Sequence, residues 1–95
     1  MRIVDKVPSR ERCAEAGWYA WDFLLERPMD EAFIRSLRPL GSFVYLPMLS
    51  KPFFKIESDY CFIKGLRGDD FMRVAVHNDY PDKLDEVEAF LARLP

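Results

Sequence analysis

The sequence contains few of the residues that build disulfide, metal or catalytic sites. Cys13 and Cys61 are its only cysteines, and His77 is its only histidine. Two cysteines are too few for a disulfide scaffold, and their separation is not that of a metal site. We expect both to be buried thiols in a reducing compartment, which favours a cytoplasmic protein. Since no nucleotide-binding or metal-binding motif is present, we expect no cofactor and no metal.

Long apolar runs and an excess of positive charge are also lacking. No 18 apolar residues run together, and the first residues, MRIVDKVPSRER, lack the apolar stretch of a signal peptide. We therefore expect no membrane association. The 14 basic and 16 acidic side chains leave a net charge of −2. Because proteins that grip nucleic-acid phosphates are usually basic, nucleic acid is not an expected partner.

Apolar and aromatic residues, in contrast, are abundant. The 95 residues are 49% hydrophobic and 15% aromatic, which predicts one compact domain over residues 1–95. A domain of this size buries only about 60 to 65% of the surface of its unfolded chain. Two Trp, four Tyr and eight Phe are many for so small an interior. Some of these rings should lie at the surface, where a patch would mark a contact site.

Helical spacing of apolar residues predicts three helices. Ser9 can cap a first helix from Arg10 to about Leu25, and Asp30 can cap a second from Glu31 to Leu37. These two would form a bent pair. A third helix is predicted to begin at Pro81. The apolar stripe of the first helix is Ala14, Trp18, Trp21 and Leu25, with Leu24 beside it; that of the third is Leu84, Val87, Leu91 and Leu94, supplemented by Phe90.

Four strands are predicted between the second and third helices. The first runs from Ser42 to Leu46, and the segment from Phe53 to His77 is typical of three more strands with alternating apolar residues. A two-residue turn at Ser58-Asp59 and a loop from Arg67 to Asp70 place one apolar set on a single face. That set is Phe54, Ile56, Cys61, Ile63, Val74 and Val76.

The predicted order of elements is therefore α-α-β-β-β-β-α. It describes an α+β fold with an N-terminal helical pair, a four-stranded antiparallel meander and a C-terminal helix. The helices are expected to lie together on one face of the sheet.

The same strand registers place a basic and aromatic set on the opposite face. Lys64 is predicted opposite Arg73, Tyr60 opposite His77, and Phe62 opposite Lys55. Such a face can stack rings on a ligand while its cations meet anionic groups. It can also be the contact face of a dimer or an ordinary solvated face. The candidate ligand-binding or partner-binding residues are Lys55, Tyr60, Phe62, Lys64, Arg73 and His77.

Catalysis has little support in the sequence. His77 could act as a general acid or base oriented by Asp79 or Asp59. However, Cys61, the nucleophile it would need, is predicted to face the opposite, buried side of the sheet. Arg67-Gly68-Asp69 is interpreted as part of a turn. We name no catalytic residue and favour a protein that is not an enzyme.

Two functional hypotheses follow from these patterns. The leading one is a small non-enzymatic interaction domain that forms a homodimer or contacts another protein. Its contact would be the outer sheet face or the Pro47–Phe53 edge, an apolar loop with prolines near both ends. The alternative is a domain that binds a small anionic or aromatic ligand on the basic and aromatic face.

Overall fold

A six-stranded antiparallel sheet organises the protein, for which a computed structural model describes residues 1–9 and 17–94. Helix α1 (Glu31–Ser36) and a short 3-10 turn (Arg38–Leu40) precede the third strand, and helix α2 (Asp82–Arg93) follows the last. The order across the sheet is β1-β2-β6-β5-β4-β3. The strands are β1 (Ile3–Pro8), β2 (Trp18–Leu25), β3 (Ser42–Leu46), β4 (Phe53–Glu57), β5 (Cys61–Leu66) and β6 (Phe71–His77).

The predicted N-terminal helical pair is wrong. Its first helix was placed over residues 10–25, of which Trp18–Leu25 is strand β2 and residues 10–16 lie outside the described part of the chain. β2 pairs with β6 on one side and with β1 on the other. Within the described residues the order is therefore β-β-α-β-β-β-β-α, with six strands where four were predicted.

Residue type and tertiary pairing explain why this segment is extended. Its sequence, WYAWDFLL, is rich in aromatic residues, which fit the pleated and half-buried surface of a sheet. Alternation directs Trp21, Phe23 and Leu25 into the core, whereas Asp22 points to the other face. Because nearly every residue of the segment is apolar, a period of 3.6 and a period of 2 both fit it. Pairing with β6 decides between them.

The four later strands lie close to their predicted bounds. β3 spans Ser42–Leu46 as predicted. The predicted register between β5 and β6 is also confirmed, since Ile63 pairs with Val74 and Cys61 with Val76. These pairs place the predicted apolar set on the face that meets the helices.

The register between β4 and β5 differs from the prediction. Glu57 pairs with Phe62 rather than with Tyr60. The turn is wider than two residues, and the Ser58 amide donates to the carbonyl of Cys61 at 2.9 Å. The shift is two positions, and an even shift leaves every side chain on its original face. The predicted separation of the two faces therefore survives an incorrect turn.

Both helices pack on the same face of the sheet. Asp30 caps α1 as predicted, because its carboxylate accepts a hydrogen bond from the Phe33 amide at 2.8 Å. α2 follows Pro81 and buries Val87 and Leu91. The fully buried side chains between helices and sheet include Phe23, Ile34, Leu37, Phe54, Ile56, Ile63, Met72, Val74 and Leu91.

Gly65 in β5 is required by the packing of that core. A Cβ atom at this position would lie 2.8 Å from Cε1 of Phe54 and 3.1 Å from Cε of Met29. Both neighbours are buried, so neither can move away freely. We expect Gly65→Ala to lower the free energy of unfolding by about 1 to 3 kcal/mol, measured by urea denaturation. A neutral or stabilising substitution would contradict this contact, since Ala is otherwise preferred to Gly in a strand.

Candidate functional site

The candidate site is the face of the sheet turned away from α1 and α2, called here the outer face. Its strand residues alternate with those of the core, and neither helix of the described residues packs on it. A line of directly opposed residues crosses all six strands at its centre. In order from β3 to β1, this line is Val44, Lys55, Lys64, Arg73, Asp22 and Val7.

The structure brings the six predicted site residues together on or beside the outer face. Tyr60 lies in the turn before β5, where its carbonyl accepts a hydrogen bond from the His77 amide at 3.1 Å. Their ring centroids are 6.5 Å apart. The predicted contact of Phe62 with Lys55 is wrong, because the wider turn pairs Phe62 with Glu57 instead. The other five predicted site residues lie within strands on this face: Lys55, Phe62, Lys64, Arg73 and His77.

Three cations stand side by side across β4, β5 and β6, and we call them the basic row. Lys64 pairs with Arg73 as predicted. The observed register between β4 and β5, which differs from the predicted one, also places Lys55 opposite Lys64. Like charges that are directly opposed destabilise a sheet. Acidic neighbours moderate the repulsion, since Lys55 Nζ lies 3.2 Å from Glu57 Oε1 and Asp22 stands opposite Arg73.

Arg73 is held in a defined position by Ser9. Its Nε and Nη2 atoms donate to the Ser9 hydroxyl at 3.2 and 3.0 Å. Ser9 is itself anchored, because its amide donates to the Ala20 carbonyl at 2.9 Å. Partial burial lowers the pKa of Arg73 from its usual value, but an arginine remains charged at neutral pH. The outer face therefore carries an oriented guanidinium cation.

A groove of about 490 Å³ runs beside these cations. Phe53, Leu66 and Phe71 supply its apolar surface. Lys64 lies two residues before Leu66 in β5, and Arg73 lies two residues after Phe71 in β6. This volume lies within the range of small-molecule sites, about 300 to 1,000 Å³. Asp22 and Asp69 also line the groove, which thus combines an apolar lining with charged side chains of both signs.

An aromatic cluster of Trp18, Tyr60, His77 and Tyr80 lies on and beside the outer face, away from the groove, where β2 begins and β6 ends. The rings of Tyr60 and Tyr80 stack with centroids 3.6 Å apart, and Trp18 meets His77 edge-on at 5.7 Å. The side-chain hydrogen bond with Tyr60 raises the pKa of Tyr80. Both tyrosines are more than a third exposed. Exposed Tyr and Trp side chains are typical of contact sites.

His77 is not placed to act with Cys61. The Asp79 amide donates to His77 Nδ1 at 3.1 Å, which assigns the proton of a neutral imidazole to Nε2. Cys61 lies on the opposite, core-facing side of the sheet, and burial raises the pKa of its thiol to about 11. The two residues therefore do not form a catalytic dyad. Cys13 lies outside the described residues.

Sequence reasoning missed Trp18 and Asp22 as parts of the outer face. Both had been placed in a helix, so they had no position on the sheet. The available signal was a charged residue at an alternate position of an aromatic run, which is typical of a strand. Phe71 is correctly predicted at the start of the last strand. The sequence does not predict that Leu24 of β2 lies opposite it.

Comparison with known protein families, with curated proteins and with solved structures finds no match to this chain. Over residues 1–9 and 17–94, no helix is long and apolar enough to cross a membrane. Nor does the described part of the chain bring three or more His, Cys, Asp or Glu residues together as a metal site. The geometry of the outer face is therefore the basis of the functional proposal.

Proposed function

We propose that this protein is a small interaction domain whose outer face binds a second copy of the chain. The observation that carries this proposal is a broad sheet face with exposed apolar side chains, while both described helices pack on the other side. Val44 is 39% exposed and Phe71 is 40% exposed. Exposed apolar side chains therefore lie on this face beside its charged residues, and apolar surface that is rimmed by polar residues is typical of a contact site.

The dimensions of the outer face suit a dimer. Six strands, each taking up about 4.8 Å of width, cover roughly 29 Å. Strands of five to eight residues are about 17 to 26 Å long at about 3.3 Å per residue. The flat area is then roughly 500 to 750 Å², before the relief of side chains is added. This approaches the area of about 800 Å² that each partner buries in a standard interface.

The charges of the outer face also favour a second copy as the partner. The basic row, Lys55, Lys64 and Arg73, shares this face with Asp22 and Glu57. A face that carries both signs can offset its own charges when a copy is turned about a two-fold axis. A face of one sign would repel its copy. The aromatic cluster adds Trp and Tyr, which are frequent at the energetic centres of interfaces.

Val44→Asp and Val4→Asp make a matched test of this proposal. Both valines are exposed and lie in edge strands, but only Val44 is on the outer face. Val4 lies at the irregularity in β1, beside a cleft formed with α2. By sedimentation equilibrium at micromolar concentrations, we expect the native chain to approach twice its mass of 11.2 kDa. Val44→Asp should weaken the dimer by about tenfold or more, because it replaces apolar contact surface with a carboxylate that must lose its hydration in the interface. Val4→Asp should not.

Two outcomes would contradict the proposal. One is a native chain that remains monomeric up to high micromolar concentration. The other is equal weakening by Val44→Asp and Val4→Asp. Met48→Asp tests the remaining alternative, a dimer contact at the Pro47–Phe53 edge, because Met48 lies in that loop and is 74% exposed. A dimer broken by Met48→Asp but not by Val44→Asp would place the contact at the loop and not on the outer face.

We also propose that the protein is cytoplasmic. The support is chemical, since Cys61 is a free, buried thiol in a chain with only two cysteines. A chain that uses no disulfide at this position suits a reducing compartment. Fractionation of cells that express the chain tests the location, and recovery in a secreted or membrane fraction would overturn it.

A further inference from the structure

We propose that strand β3 binds an extended, acidic segment of a partner protein, which adds a further strand to the sheet at its open edge. β3 is the last strand of the sheet on one side, and β1 is the last on the other. In this mode of recognition, the backbone of the edge strand supplies hydrogen bonds and the neighbouring side chains select the sequence. The site is the rim of the sheet, so the inference goes beyond the proposed self-association and does not rest on it.

The hydrogen bonds of β4 determine which backbone groups β3 leaves open. In an antiparallel ladder, successive residues of a strand bond alternately to the strand on one side and to the strand on the other. The Ser58 amide donates to the Cys61 carbonyl at 2.9 Å, and the Arg67 amide donates to the Pro52 carbonyl at 2.8 Å. The even-numbered residues of β4 therefore bond to β5, and its odd-numbered residues bond to β3.

β3 consequently turns the N–H and C=O groups of Phe43 and Tyr45 away from β4. Val44 lies opposite Lys55, an odd-numbered residue, so the even-numbered residues of β3 are the ones that bond to β4. Neither Phe43 nor Tyr45 forms a backbone hydrogen bond to a turn or loop of the described residues. The edge of β3 thus presents alternating donors and acceptors, which is the pattern that a further antiparallel strand satisfies.

The opposite edge of the sheet, at β1, is closed to such pairing. The Ser9 amide donates to the Ala20 carbonyl in β2, so by alternation Lys6 and Pro8 face the open side. Pro8 has no N–H group, and the Lys6 amide already donates to Asp5 Oδ1 at 2.8 Å. Proline and charged side chains are devices by which proteins prevent pairing at an edge. β3, with the sequence SFVYL, has neither.

Two arginines give the core-facing side of the β3 edge its charge. The guanidinium carbon of Arg38 lies 6.0 Å from the ring centroid of Phe43, and that of Arg35 lies 5.3 Å from the ring centroid of Tyr45. Both arginines are exposed. Arg35 Nη2 lies 3.6 Å from Glu31 Oε1, whereas Arg38 forms no ion pair within the described part of the chain. This side of the edge therefore carries a surplus of positive charge.

The arginines favour an acidic strand over a second copy of β3. A copy that paired its own β3 antiparallel to this one, centred on Val44, would bring Arg38 next to the copy's Arg35, and like charges at such a pairing are unfavourable. An acidic segment meets the same arginines with charge-assisted hydrogen bonds. Its acidic residues would lie opposite Phe43 and Tyr45, on the core-facing side.

The outer-face side of β3 sets the residue between the two acidic ones. Val44 is 39% exposed there, and Leu46 is half-buried. An apolar residue opposite Val44 would cover part of this surface. Glu57 also lies on this side, where Lys55 Nζ is 3.2 Å from its Oε1. The preferred segment thus alternates acidic and apolar residues over about the length of β3.

The test is an NMR titration of the ¹⁵N-labelled chain with acetyl-Thr-Val-Glu-Val-Glu-Val-Thr-amide and with the same peptide carrying Lys in place of both Glu. We expect saturable shifts of the β3 amides with the acidic peptide. The Lys peptide should bind about tenfold more weakly, because it exchanges attraction by the arginines for repulsion. The amides of Phe43 and Tyr45 should exchange with solvent quickly in the chain alone and slowly with the acidic peptide.

Methylation of the peptide nitrogens tests the alternation of the ladder. Methylating the nitrogen of either Glu removes a donor that faces β3 and should weaken binding about tenfold or more. Methylating the central Val blocks an N–H that faces away from β3 and should weaken binding less than about threefold. The reverse order would turn the acidic side chains to the outer face and contradict their contact with the arginines.

Arg38→Gln and Arg93→Gln are the matched variants. Both arginines are exposed beside a phenylalanine ring, at 6.0 Å from Phe43 and 5.8 Å from Phe90, but Arg93 lies at the end of α2. Arg38→Gln should weaken the acidic peptide about threefold, as expected for an exposed ion pair. Arg93→Gln should not. Sedimentation of Arg38→Gln should match that of the native chain, which separates this site from the outer-face contact.

Three results would overturn the inference: no saturable binding of the acidic peptide at millimolar concentration, equal affinity for the Glu and Lys peptides, or equal effects of the two arginine variants. A fourth would replace the occupant. If the amides of Phe43 and Tyr45 become protected in the chain alone as its concentration rises, the edge pairs with a second copy and not with an acidic strand. None of these results depends on whether the outer face forms a dimer.

Discussion

Phe23→Ala should lower the free energy of unfolding by about 3 to 5 kcal/mol, which is the usual cost of emptying a buried phenylalanine site. Phe23 is fully buried in β2 and packs in the core between the sheet and the helices. A domain of 95 residues is stable by roughly 5 to 14 kcal/mol, so this single change removes a large part of its stability. Urea denaturation followed by circular dichroism measures the loss. If Phe23→Ala does not fold, the milder Phe23→Leu should still show a loss of about 1 kcal/mol.

Leu24→Ala is the control for that experiment. Leu24 is the next residue of β2, and its side chain lies on the outer face opposite Phe71, where it is only partly buried. We expect a cost of about 1 kcal/mol or less. A helix over this segment would reverse the order, since Leu24 would lie next to the buried stripe and Phe23 would not. A larger cost for Leu24→Ala than for Phe23→Ala would therefore contradict the strand.

Cys61 should react with iodoacetamide about 100 times more slowly in the folded chain than in the unfolded chain at pH 8. Burial raises the pKa of its thiol from 9.0 to about 11. The reactive thiolate then falls from roughly a tenth of the population to about a thousandth. A Cys13→Ser background makes Cys61 the single thiol, and mass spectrometry follows its alkylation. Equal rates in native buffer and in guanidinium chloride would contradict the burial of Cys61.

The same shift in pKa makes stability depend on alkaline pH. Folded Cys61 holds its proton more tightly than unfolded Cys61, so its contribution is complete below about pH 9, the ordinary pKa of the thiol. The contribution should be lost as the pH rises toward 11. Comparing urea denaturation at pH 8 and pH 10 between Cys13→Ser and Cys13→Ser/Cys61→Ala isolates it. Equal losses of stability in both proteins would show that other groups cause the pH dependence.

The meander from β3 to β6 was predictable because its strands are short, alternate clearly and are separated by recognisable turns. Correct alternation alone placed Lys64, Arg73 and His77 on one face and Cys61 on the other. The turn at Ser58 was predicted too narrow, but its two-position error preserved the period of the side chains. The identity of the outer-face residues in these strands was therefore robust to a local mistake.

The basic row and the groove were less predictable, because each depends on which strands are neighbours. Lys55 joins Lys64 only through the true width of the turn before β5. Asp22 and Leu24 reach the outer face only through the pairing of β2 with β6, two strands separated by more than 40 positions in the chain. Local patterns carry no information about such distant pairing.

Patterns local to the sequence were sufficient for the start of α1 at Asp30, for α2 after Pro81, for the four strands of the meander and for the chemistry of their two faces. Tertiary structure alone decided that Trp18–Leu25 is a strand. Its many apolar residues fit both the helical period of 3.6 and the strand period of 2, and only the pairing with β6 favours the extended conformation. The same pairing adds β1, widens the outer face to six strands and brings Ser9 to Arg73. The physical reason is that strand pairing depends on backbone hydrogen bonds between distant segments. No short stretch of residues encodes which segments will meet.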